Sequence, residues 1–132
     1  MTHSLTMLAL VVPDYDEAIA WYTGVLGFEL LEDTPFPGTE KRWVVVAPRG
    51  DGASGARLLL ARAANDAQAS RIGNQAGGRV FLFLHTDDIA RDVALWSARG
   101  VAFDGDIRDE AYGRVVVFTD KFGNRWDLIE PR

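Results

Sequence analysis

The sequence predicts an α+β domain built from two βαβββ modules, and three observations carry that expectation. The first is an internal repeat. Asp14, Ile19 and Ala20 recur as Asp88, Val93 and Ala94 at a spacing of 74, and Gly27 recurs as Gly100 at 73. The second is order: a strand, a helix and three strands can be read twice along the chain. The third is a hairpin over residues 112–131, YGRVVVFTDKFGNRWDLIEP, with a β-branched run, a polar turn and a returning strand. At 132 residues the chain is long enough for one core without staples. We read residues 1–132 as a single domain, with modules at 1–64 and 79–132 and a linker at 65–78.

Residues 5–12 form a continuous apolar strand, and Pro13 ends it by removing a backbone donor. Asp14 or Asp16 can cap the helix that follows. Ala18, Ile19, Tyr22 and Leu26 recur on one side of that helix, and Gly27 closes it. Phe28 opens a second strand. Residues 34–40 read as a Pro/Gly loop, residues 42–46 as a third strand, and residues 48–55 as a hairpin turn rich in Gly and Asp. That turn is not a phosphate loop, because no helix follows and no lysine–serine pair is present. Residues 57–62 complete the first module. Residues 65–78 are small, polar and glycine-rich, with room for a short turn of helix, and are the expected mobile segment.

The second module starts with a strand at 79–86. Asp88 caps a helix that places Ile89, Val93 and Trp96 on one face, and Gly100 ends it. Residues 101–103 begin the next strand, and the closing hairpin completes the set. In the last strand Arg125, Asp127 and Ile129 share one face, and Trp126 and Leu128 the other. Asp127 is out of place there, because Asp has poor strand propensity. Either that face is simply wet, or it lines a pocket in which a carboxylate meets a metal or a cation.

Composition excludes several function classes. The chain has no cysteine, so disulfides, thiolate metal sites and a cysteine nucleophile are unavailable. A net charge of −5 argues against nucleic acid as a partner, which needs a basic face. The longest apolar start, residues 8–12, is too short to span a membrane and lacks the flanks of a signal peptide, so the cytoplasm is the expected compartment.

The closing pattern F-T-D-x-x-G-N-x-x-D-L-I-E-P resembles the end of proteins of the vicinal oxygen chelate superfamily, and PDYDEAIAWYTGVLGFEL is similar to that superfamily's first helix. The group includes glyoxalase I, extradiol dioxygenases, fosfomycin resistance enzymes and bleomycin resistance proteins. The resemblance covers essentially the whole chain. It implies a curved mixed sheet with a concave cleft and helices on the outer face. It also implies a divalent metal on the concave face, held by side chains of the first and last strands of the modules. Carried over residue by residue, the first-strand histidine falls on Met7, a carboxylate near Leu59, the histidine opening the second module on Phe81, and a glutamate on Asp127. Only Asp127 keeps a ligand-type side chain. A thioether is soft, and Leu and Phe offer no lone pair to a hard or borderline cation. We therefore expect no divalent metal and no other cofactor.

Two histidines are present. His3 lies near the terminus, whereas His85 shares a strand face with Phe81 and Phe83 and so could border the cleft. The expected cleft set is Met7, Leu59, Phe81, Phe83, His85, Tyr112, Arg114 and Asp127, with no assigned catalytic residue. Arg42, Arg57 and Arg114 could grip an anionic substrate, but their strand faces are not fixed by pattern. Within the superfamily, bleomycin resistance proteins also lack the metal ligands and hold a cationic drug in an aromatic-lined cleft. The expectation is therefore a metal-free small-molecule-binding protein and a homodimer. The alternative is a glyoxalase-like lyase or dioxygenase-type metalloenzyme.

Overall fold

In the computed structural model, which describes residues 1–50 and 55–132, two compact units follow one another: Met1–Arg71 and Ile72–Arg132. The central residues of the glycine-rich turn expected at 48–55 lie outside the described residues. The first unit contains β1 (Met7–Val12), α1 (Tyr15–Gly24), β2 (Glu29–Pro35), β3 (Arg42–Ala47), β4 (Arg57–Arg62) and a one-turn helix, α2 (Asp66–Ala69). The second contains β5 (Leu82–His85), α3 (Ile89–Ala98), β6 (Ala102–Glu110), β7 (Gly113–Thr119) and β8 (Arg125–Pro131). The two sheets have the same topology, β1-β4-β3-β2 and β5-β8-β7-β6, each with one parallel pair at one end and antiparallel neighbours after it. The expected α+β class with two similar βαβββ modules is what the chain adopts.

Both long helices start where the sequence places an acidic cap. The Glu17 backbone N–H donates to Asp14 Oδ2 at 2.8 Å, and the Arg91 N–H donates to Asp88 Oδ1 at 3.0 Å. Asp14, not Asp16, is the cap. α1 stops at Gly24, three residues before Gly27, and the Phe28 N–H returns to the Tyr22 carbonyl at 2.9 Å. At the end of α3 the Val101 N–H bonds the Trp96 carbonyl at 2.9 Å. Gly27 and Gly100 take φ of 75° and 89°, the left-handed region that turns each chain out of its helix toward its sheet.

Each helix covers one face of its own sheet. In the first unit Ala18 and Tyr22 are buried, as are Leu10, Val12, Val44, Val46, Leu58 and Leu60 of the strands. In the second, Ile89 and Trp96 are buried together with Val116, Phe118, Trp126 and Leu128. Trp96 is edge-on to Phe118 at 5.5 Å, and Phe118 stacks on Trp126 at 5.5 Å. Strand alternation then sends the intervening residues to the face away from the helix.

Several boundaries differ from the sequence expectation. β2 runs on to Pro35, into the expected loop, because it is an edge strand on which a missing N–H costs no ladder bond. β5 covers only Leu82–His85, although the Phe81 N–H still donates to the Arg125 carbonyl at 2.8 Å. Part of the expected linker belongs to the second unit. Gly73 lies so close to the β7–β8 turn that a Cβ there would stand 2.7 Å from the Phe122 carbonyl oxygen, and Gln75 Nε2 reaches Asn124 Oδ1 at 3.3 Å.

That turn is held by one buried carboxylate. Asp120 accepts from the backbone N–H groups of Phe122 and Asn124 at 2.9 and 3.0 Å and from the Trp126 indole N–H at 2.9 Å. The same carboxylate therefore shapes the turn and anchors a core tryptophan.

Candidate functional site

The helix-free face of the second sheet carries four of the eight expected residues, Phe81, Phe83, His85 and Asp127. The ladder puts Phe83 opposite Asp127, Asp127 opposite Val117, and Val117 opposite Asp104, so these four form one row across the sheet. Phe81 and Arg125 lie one row away on one side, and His85, Ile129, Val115 and Arg108 on the other. Phe83 is 65% exposed and His85 is exposed, while Asp127 and Phe81 are half-buried.

Asp127 is the anomaly of this face. Its Oδ1 is buried and has no hydrogen-bond partner among the described residues. Desolvation raises its pKa above the usual carboxylate value, and the positive charges of Arg108 and Arg125 only partly oppose this. Both guanidiniums are already matched elsewhere: Arg125 pairs with Asp104 at 3.2 Å and Arg108 with Glu110 at 3.3 Å. Asp127 thus keeps an acceptor oxygen without a donor, on a sheet face that also carries an exposed aromatic ring. Sequence alternation put Asp127 and Arg125 on this face, but not Arg108. Arg108 arrives there through a register shift between Asp104 and Arg108, which no strand pattern announces.

The equivalent face of the first sheet fixes a register that sequence left uncertain by one residue. Met7 pairs with Arg57 and Ala9 with Leu59; in the second unit Phe81 bonds Arg125 and Phe83 pairs with Asp127. Leu59 is thus the counterpart of Asp127, and Met7 the counterpart of Phe81. The face also carries Trp43 and Val45, with Arg57 exposed at its end. A shallow depression of about 170 Å³ lies there, lined by Met7, Glu32, Trp43, Val45 and Arg57 among others.

The donor set does not fit a divalent metal. Of the four positions that the family resemblance singles out, three hold Met7, Leu59 and Phe81, and a single carboxylate remains. His85 shares the face of Asp127 one side-chain row away, so the face offers two donors where a site needs three or four. Among the described residues no group of three His, Asp or Glu side chains is placed to hold a metal ion.

Arg114 is not on the face of Asp127. It pairs across the ladder with Glu130 and lies on the helix side, its guanidinium 4.0 Å from the Glu130 carboxylate, which also accepts from the Ile89 N–H at 3.0 Å. Arg42 likewise turns to the helix side of its sheet, bonded to Asp33 at 2.7 and 3.0 Å and to Asp16 at 2.9 Å. These bonds raise its pKa and lower that of Asp33. Tyr112 is exposed in the short connection between β6 and β7.

Sequence reasoning missed a larger hollow. A groove of about 810 Å³ opens in the first unit where the β2–β3 connection meets the ends of β1 and β4 and the start of α2. Tyr15, Phe36 and Trp43 are its aromatic residues, and Lys41, Arg42 and Arg62 its cations. No motif marks it, because its lining comes from five separate stretches.

The comparisons with known proteins agree with this architecture. The family model described as Glyoxalase/Bleomycin resistance protein/Dioxygenase superfamily matches residues 4–128. An uncharacterized protein of Shewanella frigidimarina is 51% identical over 130 residues, covering 98% of this chain and 95% of that one. Among solved structures, TnmS3, an antibiotic binding protein from Streptomyces sp. CB03234, superposes with a TM-score of 0.76 at 32% identity, covering 100% of this chain and 98% of its own. A glyoxalase/bleomycin resistance protein from the same organism superposes with a TM-score of 0.73 at 32% identity, covering 96% and 100%. With a match over nearly its whole length and a fold to accompany it, the chain belongs to the Glyoxalase/Bleomycin resistance protein/Dioxygenase superfamily.

Proposed function

We propose that this chain is a metal-independent small-molecule-binding protein of the bleomycin-resistance kind, which takes up a ligand with a flat or greasy body and a cationic group. The observation that carries the reading is the unpartnered, buried Oδ1 of Asp127 beside the exposed Phe83 ring. A carboxylate oxygen removed from water without a donor is costly, and a ligand N–H in that place removes the cost. An aromatic face next to it favours a cation. The likeness to TnmS3, whose description is that of an antibiotic binding protein, supports the same class of role.

Lyase or dioxygenase chemistry of the superfamily's metalloenzymes would require a Lewis-acid or oxygen-activating centre. Met7, Leu59 and Phe81 supply no hard donor for one. We also propose that two copies associate, because β2 is an edge strand exposed along its whole length and needs cover.

The test is calorimetric titration of a set of cationic aromatics and their neutral isosteres against wild type and Asp127→Asn, with metal content measured on tag-free protein. Cationic ligands should lose about tenfold to hundredfold in affinity, the worth of one charge-assisted contact of roughly 1.5–3 kcal/mol, while neutral isosteres hardly change. Near one metal per chain, lost in the same variant, would overturn the reading.

A further inference from the structure

We propose that the 810 Å³ groove of the first unit is a separate binding site for a small planar aromatic carboxylate. Its volume lies within the range of roughly 300–1,000 Å³ typical of small-molecule sites. Phe36 and Trp43 meet edge to face at 6.5 Å, forming an aromatic corner against which a flat ring can lie. Three cations face one carboxylate, Glu40, in the lining, inside a chain whose net charge is −5.

The three cations differ in what they can still do. Arg42 is locked by Asp16 and by both oxygens of Asp33, so it has little left for a ligand. Arg62 is different. Its guanidinium sits 5.6 Å from the centre of the buried Tyr15 ring, which orients it, and its carboxylate partner is Glu40 at 3.3 Å. Glu40 is a weak competitor: its side chain is 89% exposed, and Arg62 is its one ion-pair partner among the described residues. An incoming carboxylate held by the aromatic corner can replace it on Arg62 with bidentate geometry. Lys41 is exposed at the rim, and no ion pair of its side chain exists among the described residues. It adds a second positive charge to the lining. The groove thus combines an apolar body site, one oriented and displaceable guanidinium, and a free ammonium. That chemistry selects an aromatic acid over its alcohol or its amine.

The probe is 2-naphthoate, with 2-naphthylmethanol as the uncharged analogue, titrated calorimetrically against folded full-length protein. The acid should bind at least about tenfold more tightly than the alcohol. Arg62→Gln should weaken it roughly tenfold to hundredfold, the loss of one charge-assisted contact, and Lys41→Gln by a few-fold. Asp127→Asn should leave it unchanged, which keeps this result independent of the site on the second unit. Lys41 is exposed, so that variant carries the test if Arg62→Gln fails to fold. Equal affinity for acid and alcohol would overturn the proposal. So would undetectable naphthoate binding, or a loss of binding in Asp127→Asn with none in Arg62→Gln and Lys41→Gln.

Discussion

If Asp127 is kept for a ligand, it should weaken the empty protein, and Asp127→Asn should stabilise it. The carboxylate loses hydration on the sheet face, and its Oδ1 finds no donor. Asn keeps the unpaired oxygen but carries no charge, and an ionised carboxylate costs more to desolvate than a neutral amide; because Asp127 is only half-buried, the difference is about 1 kcal/mol. For a chain of this length that corresponds to about 3–5 °C in melting temperature. The pH dependence carries the sign. A carboxyl whose pKa is raised by folding binds more protons in the folded than in the unfolded state, between the ordinary carboxylate range and the raised value. Stability of the wild type therefore falls as pH rises through that window and stays lower above it. The advantage of Asp127→Asn should be full near neutral pH and should shrink as the pH is lowered to about 4. Thermal unfolding of both proteins followed by circular dichroism at the two pH values measures it. A variant less stable than wild type at neutral pH, or an advantage that grows in acid, would refute the argument.

The other expectations concern the turn and the assembly. Asp120→Asn places an amide donor where four N–H groups converge, and it should lower stability by about 2–4 kcal/mol, read as an earlier urea midpoint. Light scattering at micromolar concentration should return about twice the chain mass, and a single chain's mass would remove the proposed dimer.

Much of the fold was written locally. Asp14 and Asp88 announce the helix starts, Gly27 and Gly100 their exits, and the repeat between them implies that whatever the first module does, the second does again. The far face of β8 was readable because Asp127 stands between two large apolar residues. Arg114 was not, because Val115, Val116, Val117 and Phe118 form an unbroken apolar run in which alternation leaves no trace. Only pairing with Glu130 sets its face. Arg108 depends on a bulge, and the groove around Arg62 depends on strand ends meeting across the first unit. Such features are long-range, and a one-dimensional pattern carries no signal for them.

The shared strand order also bears on how the chain is made. In each sheet the strand translated last, β4 or β8, sits inside, between the first strand and the third. Until it emerges from the ribosome, β1 or β5 has no neighbour, and the helix has only part of a sheet to cover. Each unit therefore closes in a single late step, like a clasp, when its final strand slides between two waiting edges. Gly73 and Gln75 fasten the start of the second unit to the turn that leads into β8, so that clasp also draws in the segment joining the units. Contacts so distant in sequence make for slow folding. A nascent chain stalled before β8 would present two unpaired strand edges, which makes that interval the vulnerable one for aggregation.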